Sequence, residues 1–398
     1  MIKILHTADW HLGQTFYNYD RKWEHKAFLD WLIDKTAEIK ADVLLICGDV
    51  FDNQNPSAEA QSLYYSFLKK ITDINPELQI IIIAGNHDSA SRLEAPNPLL
   101  ETMNITVKGL INRDENGEID FNNLIIPLRK GGNVLAVPYL RQGDYPSSKE
   151  YGLGVENMYK ELYQRVNKDE RPIISLGHLH AINSSINEND RSERIIMGGL
   201  DNINLDVFDN EIDYLALGHL HRHQRVGGKE NFRYSGSPLP MSFAEKNYKH
   251  GVVLVNYDKE AEIEFIPYPS PIELISIPDR PQELEEVLEA INTLPEGKVD
   301  ETTSFLEIKV LITEVNPEMR ISIENALKNK KIKLCRIESI HPKRDNNSEG
   351  KEPLSQDLRS IEPMEMALSY YKKLYDNEMP EDLEKMLRDL VIKTKEEI

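Results

Sequence analysis

The same five letters, Leu-Gly-His-Leu-His, stand at residues 176–180 and again at 217–221 of this 398-residue chain. They join a series of short polar clusters: Asp-x-His at 9–11, Gly-Asp-x-x-Asp at 48–52 and Gly-Asn-His-Asp at 85–88. Together they offer eight candidate side chains: Asp9, His11, Asp49, Asn86, His87, His178, His219 and His221. Carboxylates, imidazoles and an amide, with no thiolate, suit a catalytic divalent-metal site better than a closed structural zinc site. Eight groups exceed what one ion with an open position needs, and two ions sharing a bridging carboxylate account for them better. Paired ions polarise a phosphoryl oxygen and activate water, so a phosphoester is the natural substrate. Asp-x-His on an extended segment turns both side chains to one side, so Asp9 and His11 are expected to chelate one ion from a strand-like backbone. Gly48, Gly85, Gly177 and Gly218 stand beside these groups, where the backbone must turn sharply or approach a neighbour closely.

The elements that must carry these clusters are readable. "IKIL", "ADVLLIC" and "LQIIIIAG" are apolar runs separated by the amphipathic stretches "EHKAFLDWLIDKTAEI" and "AQSLYYSFLKKI". Such alternation predicts an α/β fold with strands covered on both faces. Each run leads into a polar cluster, the position where open α/β sheets place their sites. "PIISLGH" and "IDYLALGH" are two further strands ending in Gly-His; their surroundings are otherwise unlike, which argues for local convergence and against a duplicated domain. "HGVVLVNY" and "AEIEFIPY" alternate as antiparallel strands, and the Pro-rich 266–271 marks a boundary. Residues 272–342 follow as strand, helix, strand, helix and strand. Residues 100–170 are less regular, with turn-rich patches at "NRDENGEID" and "RQGDYPSS". "HPKRDNNSEGKE" is a polar linker. Two helices are expected after it, the second opened by Pro380; Met364, Leu368, Tyr371, Tyr375, Leu383, Leu387 and Leu390 make a stripe for the chain's own core or for a partner.

Composition narrows the function classes. Lys plus Arg number 47 against 67 Asp plus Glu, a formal net of -20, so the overall field repels nucleic acid and any binding must come from local groups, metal ions or a partner. Cys47 and Cys335, the two cysteines, lie in strand-like apolar surroundings and are expected as buried thiols in a reducing compartment. No stretch approaches the ~20 apolar residues of a membrane span, and the first residues lack a signal-peptide pattern, so the expectation is a cytoplasmic protein with no membrane contact.

These motifs, in this order, resemble the calcineurin-like metallophosphoesterase superfamily: a β-sandwich flanked by helices. "ILHTADWHLGQTFY", "GDVFDNQNPS", "IAGNHDSASR", "LGHLHRHQ" and "YSGSPLPMSF" more narrowly resemble the SbcD family, the nuclease subunits of bacterial SbcCD complexes. The resemblance implies a dimetal phosphoesterase domain at 1–270, a small α/β capping domain at 271–342, a linker at 343–355 and a helical partner-binding segment at 356–398. It implies two divalent ions, Mn2+ by family, with Asp9, His11, Asp49 and His221 on one, and Asp49, Asn86, His178 and His219 on the other. His87 is then a catalytic imidazole that binds no metal and faces the scissile phosphate. It further implies 3′-to-5′ exonuclease and single-strand or hairpin endonuclease activity on DNA in repair and recombination. The implied partners are an SbcC-type ATPase and a second copy of the chain, a homodimer within a heterotetramer. One departure stands out: archaeal and eukaryotic counterparts have a histidine where this chain has Asp52, so Asp52 is expected to orient a neighbouring ligand.

Plainer readings hold for the other singled-out groups. His6 is expected to hydrogen-bond in the core, His180 to be an ordinary loop residue, Arg222 and His223 to lie in a solvated loop, and the basic runs "HRHQRVGGKENFR" and "IHPKR" to be solvated faces. The same metal centre would also serve a phosphatase or phosphodiesterase acting on a small molecule or protein, and a scaffold that kept the fold is the non-catalytic alternative.

Overall fold

Sequence runs of Val, Ile and Leu become the centre of two packed sheets. The computed structural model describes residues 1–148, 150–181, 203, 208, 212–312, 316–341, 371, 379–380, 383–384 and 387. After β1 (Ile2–Thr7) come a small hairpin, β2 (Thr15–Phe16) and β3 (Tyr19–Asp20), then α1 (Lys22–Ile39), β4 (Val43–Cys47), α2 (Ala58–Ile74) and β5 (Gln79–Ile83). Two short helices, α3 (Ala90–Glu94) and α4 (Asn97–Leu100), precede β6 (Ile105–Lys108), β7 (Ile125–Pro127) and β8 (Asn133–Ala136). Helix α5 (Tyr151–Arg165) leads to β9 (Ile173–His178), β10 (Tyr214–Gly218), β11 (Gln224–Val226) and β12 (Lys229–Tyr234), and β13 (Gly251–Tyr257) and β14 (Ala261–Pro267) follow. One six-stranded sheet has the order β14-β13-β1-β4-β5-β6 and the other β11-β12-β10-β9-β8-β7.

Every residue of β4 and β5 is buried, because both faces of their sheet are covered. The inner face packs Ile4, Leu45, Cys47 and Ile81 against Val134, Ile174, Leu176 and Ala216 of the second sheet. The outer face meets α1 and α2 through Phe28, Leu32, Tyr64 and Phe67, while α5 covers the second sheet with Met158, Tyr159 and Leu162. Each Val, Leu, Ile, Phe or Met side chain among these contributes about 1.5–3 kcal/mol on burial. Arg21 and Glu24 form a buried ion pair at 2.8 Å that also reaches the Pro240 carbonyl at 2.7 Å. β1, β4, β5 and β6 run parallel, as do β9 and β10. Their C-terminal ends therefore bring the polar clusters to one edge of the sandwich.

The α/β sandwich with flanking helices is the expected fold. Residues 100–170 are more ordered than their sequence suggests, holding β6 to β8 and α5. The strands have three or four residues, too short for a periodic signal, and α5 contains Gly152 and Gly154, poor helix formers. Cys47 is a buried free thiol, and Cys335 is a half-buried one.

A three-stranded sheet, β15 (Leu274–Gln282), β16 (Phe305–Leu311) and β17 (Lys333–Ile340), carries α6 (Leu284–Asn292) and α7 (Met319–Leu327) over a small core of Val287, Ile291, Leu306, Ile308 and Ile323. It meets the sandwich through Phe16, Phe243, Ile272 and Phe305. The chain divides into units Met1–His341 and Pro342–Ile398. In the second unit the N–H groups of Leu383 and Glu384 both donate to the Pro380 carbonyl at 3.0 Å, so a helical turn opens at this proline. Tyr371 and Leu387 are also helical; Met364, Leu368, Tyr375, Leu390 and most of the expected linker lie outside the described residues. Among the described residues no helix is long and apolar enough to cross a membrane.

Candidate metal centre

The structure brings all eight sequence-derived candidates to the same edge. The first cluster is anchored by Asp9 N–H donating to the Gly48 carbonyl and His11 N–H to that of Asp49, both at 3.0 Å. Between them Trp10 is fully buried, edge-on to Phe28 and Phe67 at 6.0 and 5.3 Å. The ring is thus committed to the helix layer, while Asp9 and His11 face the site. They do so from an unexpected backbone, which corrects the extended reading: β1 ends at Thr7, and Asp9 and His11 have φ values of 55° and 47°. Asp49 (49°) and His219 (101°) are left-handed too, four of the seven non-glycine residues with positive φ among those described. Each costs on the order of 1–3 kcal/mol, strain that persists only where surrounding contacts overdetermine it.

Those contacts are explicit. His219 N–H donates to Asp9 Oδ1 at 2.9 Å, and His87 N–H to Asp49 Oδ1 at 2.8 Å. His178 Nδ1 donates to the Cys47 carbonyl at 2.9 Å, turning Nε2 toward Asn86 Oδ1 at 2.9 Å and Asp49 Oδ2 at 3.3 Å. Asn86 Oδ1 also lies 3.1 Å from His219 Nδ1. The rings of His11 and His221 are 5.3 Å apart, those of His178 and His219 5.2 Å. Two glycines permit this closeness. A Cβ on Gly85 would overlap the Asp49 backbone and carboxylate; one on Gly218 would overlap the Cys47 carbonyl oxygen and come within 2.9 Å of His178 Nδ1.

Asp9, Asp49, His11, His178 and His221 are each nearly sealed from water. Burial disfavours the charged form of His178, yet the adjacent Asp49 and Asp9 carboxylates outweigh it and push its pKa up to about 9. His219, shielded from water and facing His178, falls to about 3. Asp49 stays well below the usual carboxylate range in spite of its burial, held there by His178, His11 and His87. Three groups of donor atoms lie within 4.8 Å of one another: Asp9, His11 and His221; Asp9, Asp49 and His178; and His11, Asp52 and His87. Both ring nitrogens of His11 are buried without a hydrogen-bond partner. Buried carboxylates, converging imidazoles and an orphaned His11 are a donor set suited to a pair of divalent cations.

His87 sits beside this set, its ring 4.8 Å from that of His11. Its Nδ1 donates to the Asp52 carbonyl at 2.8 Å, which leaves Nε2 for chemistry. The Asp52 carboxylate lies 3.5 Å from His11 Nδ1. Two groups escaped the sequence reading. Asp88, fully buried, accepts from the N–H groups of Val50, Phe51 and Gly85 at 3.2, 2.9 and 2.9 Å, tying the second cluster to the third. Glu245 accepts from His221 Nδ1 at 2.9 Å and from Met241 N–H at 2.8 Å. Burial works against its charge, but His221 holds its pKa down at about 2. Asp88 was visible inside Gly-Asn-His-Asp; Glu245 has no pattern around it.

The remaining candidates sort simply. His6 is buried with Nδ1 2.8 Å from the Tyr214 hydroxyl, a core histidine as expected. His180 is half-buried with its ring 6.5 Å from that of His219, closer to the site than an ordinary loop residue. His223 stacks on Phe265 at 4.1 Å and is not a solvated group.

Two six-stranded sheets with paired carboxylate and imidazole clusters at one edge define a metallophosphoesterase. The family profile of calcineurin-like phosphoesterases matches residues 2–223, and that of the type 5 capsule protein repressor C-terminal domain matches residues 270–375. The chain is 38% identical to the SbcD component of nuclease SbcCD from Rhodobacter capsulatus over 313 residues, 74% of this chain and 76% of the relative. It is 36% identical to the SbcD of Escherichia coli K12 over 64% of this chain and 65% of the relative. To that of Bacillus subtilis it is 31% identical, over 64% and 66%. The chain thus spans just under two thirds of the length of these last two relatives. It belongs to the calcineurin-like phosphoesterases and, within them, to the SbcD nuclease family.

Proposed function

We propose that the chain is a metal-dependent DNA nuclease subunit that works with an SbcC-type ATPase in processing DNA ends. Its reading as a nuclease rests on the family; its chemistry rests on one observation, the convergence of two buried donor groups beside a histidine whose Nδ1 is already committed. Asp9, His11, Asp49 and His221 would hold one ion and Asp49, Asn86, His178 and His219 the other, with Mn2+ the ion of the family. When bound, the pair supplies Lewis-acid activation of the phosphodiester and of the attacking water.

The protein's own share is positioning and proton transfer. The Cys47 carbonyl and Glu245 fix the tautomers and ring orientations of His178 and His221, each donating through Nδ1 so that Nε2 faces inward. The Asp52 carbonyl accepts from His87 Nδ1, and its carboxylate lies 3.5 Å from His11 Nδ1 without bonding to it. His87 Nε2, when protonated, donates to the departing sugar oxygen, a role typically worth about 10²–10⁴-fold in rate. The module over 271–342 would cap the site, and the segment over 356–398 would dock the ATPase, the chain acting as a homodimer within a heterotetramer.

The test uses the purified chain, alone and with its ATPase partner, on end-labelled hairpin and linear duplex DNA with Mn2+ or Mg2+, beside His87→Ala. Expected are Mn2+-dependent cleavage, its loss in the variant, and ATP-dependent extension on duplex with the partner. Intact DNA beside hydrolysis of a small phosphodiester would overturn the substrate assignment and leave the metal chemistry standing.

A further inference from the structure

Two arginines at the edge of the metal centre share an arrangement that most of the described arginines lack. Arg21, Arg129, Arg165, Arg171, Arg225, Arg233, Arg320 and Arg336 each have a carboxylate within ion-pair distance, while Arg92 and Arg113 are taken up by Asn55 and by backbone carbonyls. Arg141 and Arg222 are exposed, and no ion pair of theirs occurs among the described residues. Each instead lies over a tyrosine ring: Arg141 over Tyr139 at 5.8 Å and Arg222 over Tyr248 at 5.6 Å.

Each stands beside a different one of the donor clusters. Tyr139 stands edge-on to His178 with ring centroids 6.2 Å apart, and the Arg141 guanidinium lies 3.4 Å from the carbonyl of Asp88, the residue after His87. Arg222 directly follows His221, and its tyrosine lies three residues after Glu245, which holds His221. Lys246 and Lys249 flank that tyrosine, also without an ion pair among the described residues. In a chain of net charge -20, two guanidinium groups left without carboxylates beside a phosphoesterase centre are groups kept available for anions. A guanidinium held over a ring is restrained there, which lowers the entropy lost on capturing a phosphate.

We propose that Arg141 and Arg222 are two phosphate-gripping arms that hold the backbone of a nucleic-acid strand on either side of the cleaved phosphodiester. The inference rests on the nuclease reading above and specifies the substrate: a strand with phosphates flanking the scissile one, which a small phosphodiester lacks. Such contacts carry no base information, so they add affinity on all sequences alike. They also explain how an acidic chain retains a polyanion at this one edge.

The experiment measures binding and cleavage of a single-stranded oligonucleotide by the full chain with Mn2+ across a salt series. It compares the wild type with Arg141→Ala, Arg222→Ala, Arg222→Lys and, as a remote charge control, Lys26→Ala on α1. Each arginine-to-alanine change is expected to lower the slope of log K against log salt by about 0.7, the value for one single-strand phosphate contact. It should raise KM several-fold, more than it lowers kcat, while Arg222→Lys restores the slope and only part of the affinity. Unchanged slopes, or a drop matched by Lys26→Ala, overturn the inference and leave the nuclease reading intact. A fall in kcat and melting temperature at constant slope overturns it as well, since that is the signature of a structural role for Arg141 at the Asp88 carbonyl. Wild-type protein that neither binds nor cuts the oligonucleotide refutes the nuclease reading, and the arms with it.

Discussion

Gly218→Ala tests whether the site depends on two sheets meeting with no side chain between them. The added methyl would overlap the Cys47 carbonyl oxygen and lie 2.9 Å from Ala8 Cβ and His178 Nδ1. Strand β10 must therefore move away from the end of β4, at about 1–3 kcal/mol for overpacking a tight interior. The hydrogen bond from His178 to Cys47, 2.9 Å long, is the first contact to break, which adds about 1 kcal/mol. The sum is about 2–4 kcal/mol, read as a lower denaturation midpoint of the metal-free protein. Loss of the carbonyl partner also frees the His178 ring, so Mn2+ affinity is expected to fall about 10–100-fold by calorimetric titration. Gly131→Ala is the control: φ there is +93° but nothing lies within 4 Å of the new methyl, so only the left-handed backbone is penalised, by about 1–2 kcal/mol, with metal binding untouched. If Gly218→Ala costs no more than Gly131→Ala and binds metal as the wild type does, the reasoning fails.

Three further outcomes follow from the same geometry. Glu245→Gln keeps shape but weakens the hold on His221 Nδ1, so Mn2+ affinity should drop about 10–100-fold; equal titration curves would remove Glu245 from the metal's support. Ion binding to the folded state alone should raise stability by about 2.7 kcal/mol at one hundred times the dissociation constant, and a melting temperature indifferent to Mn2+ and chelator would contradict a resident metal pair. Burial, and then His223, hold the His6 pKa at about 3, below the ordinary 6.5, so between those values the unfolded chain takes up a proton that the folded chain does not. Stability from this group is complete above pH 6.5 and is lost as pH falls, by about 2 kcal/mol at pH 5. His6→Phe should flatten the wild-type decline over that window, and an unchanged decline would assign the acid sensitivity elsewhere.

The sandwich was legible because its strands are buried on both faces. "ADVLLIC" and "LQIIIIAG" leave no polar position for solvent, and the clusters after them stand where parallel strands end. The candidate set was legible for a related reason: carboxylates and imidazoles collected at consecutive strand ends are hard to account for as surface. What stayed hidden was set by tertiary contacts. The left-handed backbone at Asp9 and His11 depends on the Gly48 and Asp49 carbonyls and on the burial of Trp10, which no local propensity encodes. Glu245 meets His221 from 24 residues away. Helix α5 forms over Gly152 and Gly154 because Met158, Tyr159 and Leu162 reach the second sheet's core, and packing outweighs propensity.

The four left-handed residues have a consequence for how the edge tolerates substitution. Glycine at Asp9, His11, Asp49 or His219 would relieve the left-handed backbone but remove a donor, and at Asp9 and Asp49 it would also remove the carboxylates that accept the His219 and His87 N–H groups. At Asp9 and Asp49 the strain and its support are thus one and the same: the side chains that stand on the awkward backbone also accept the hydrogen bonds that keep it there, so the edge yields as a unit or not at all.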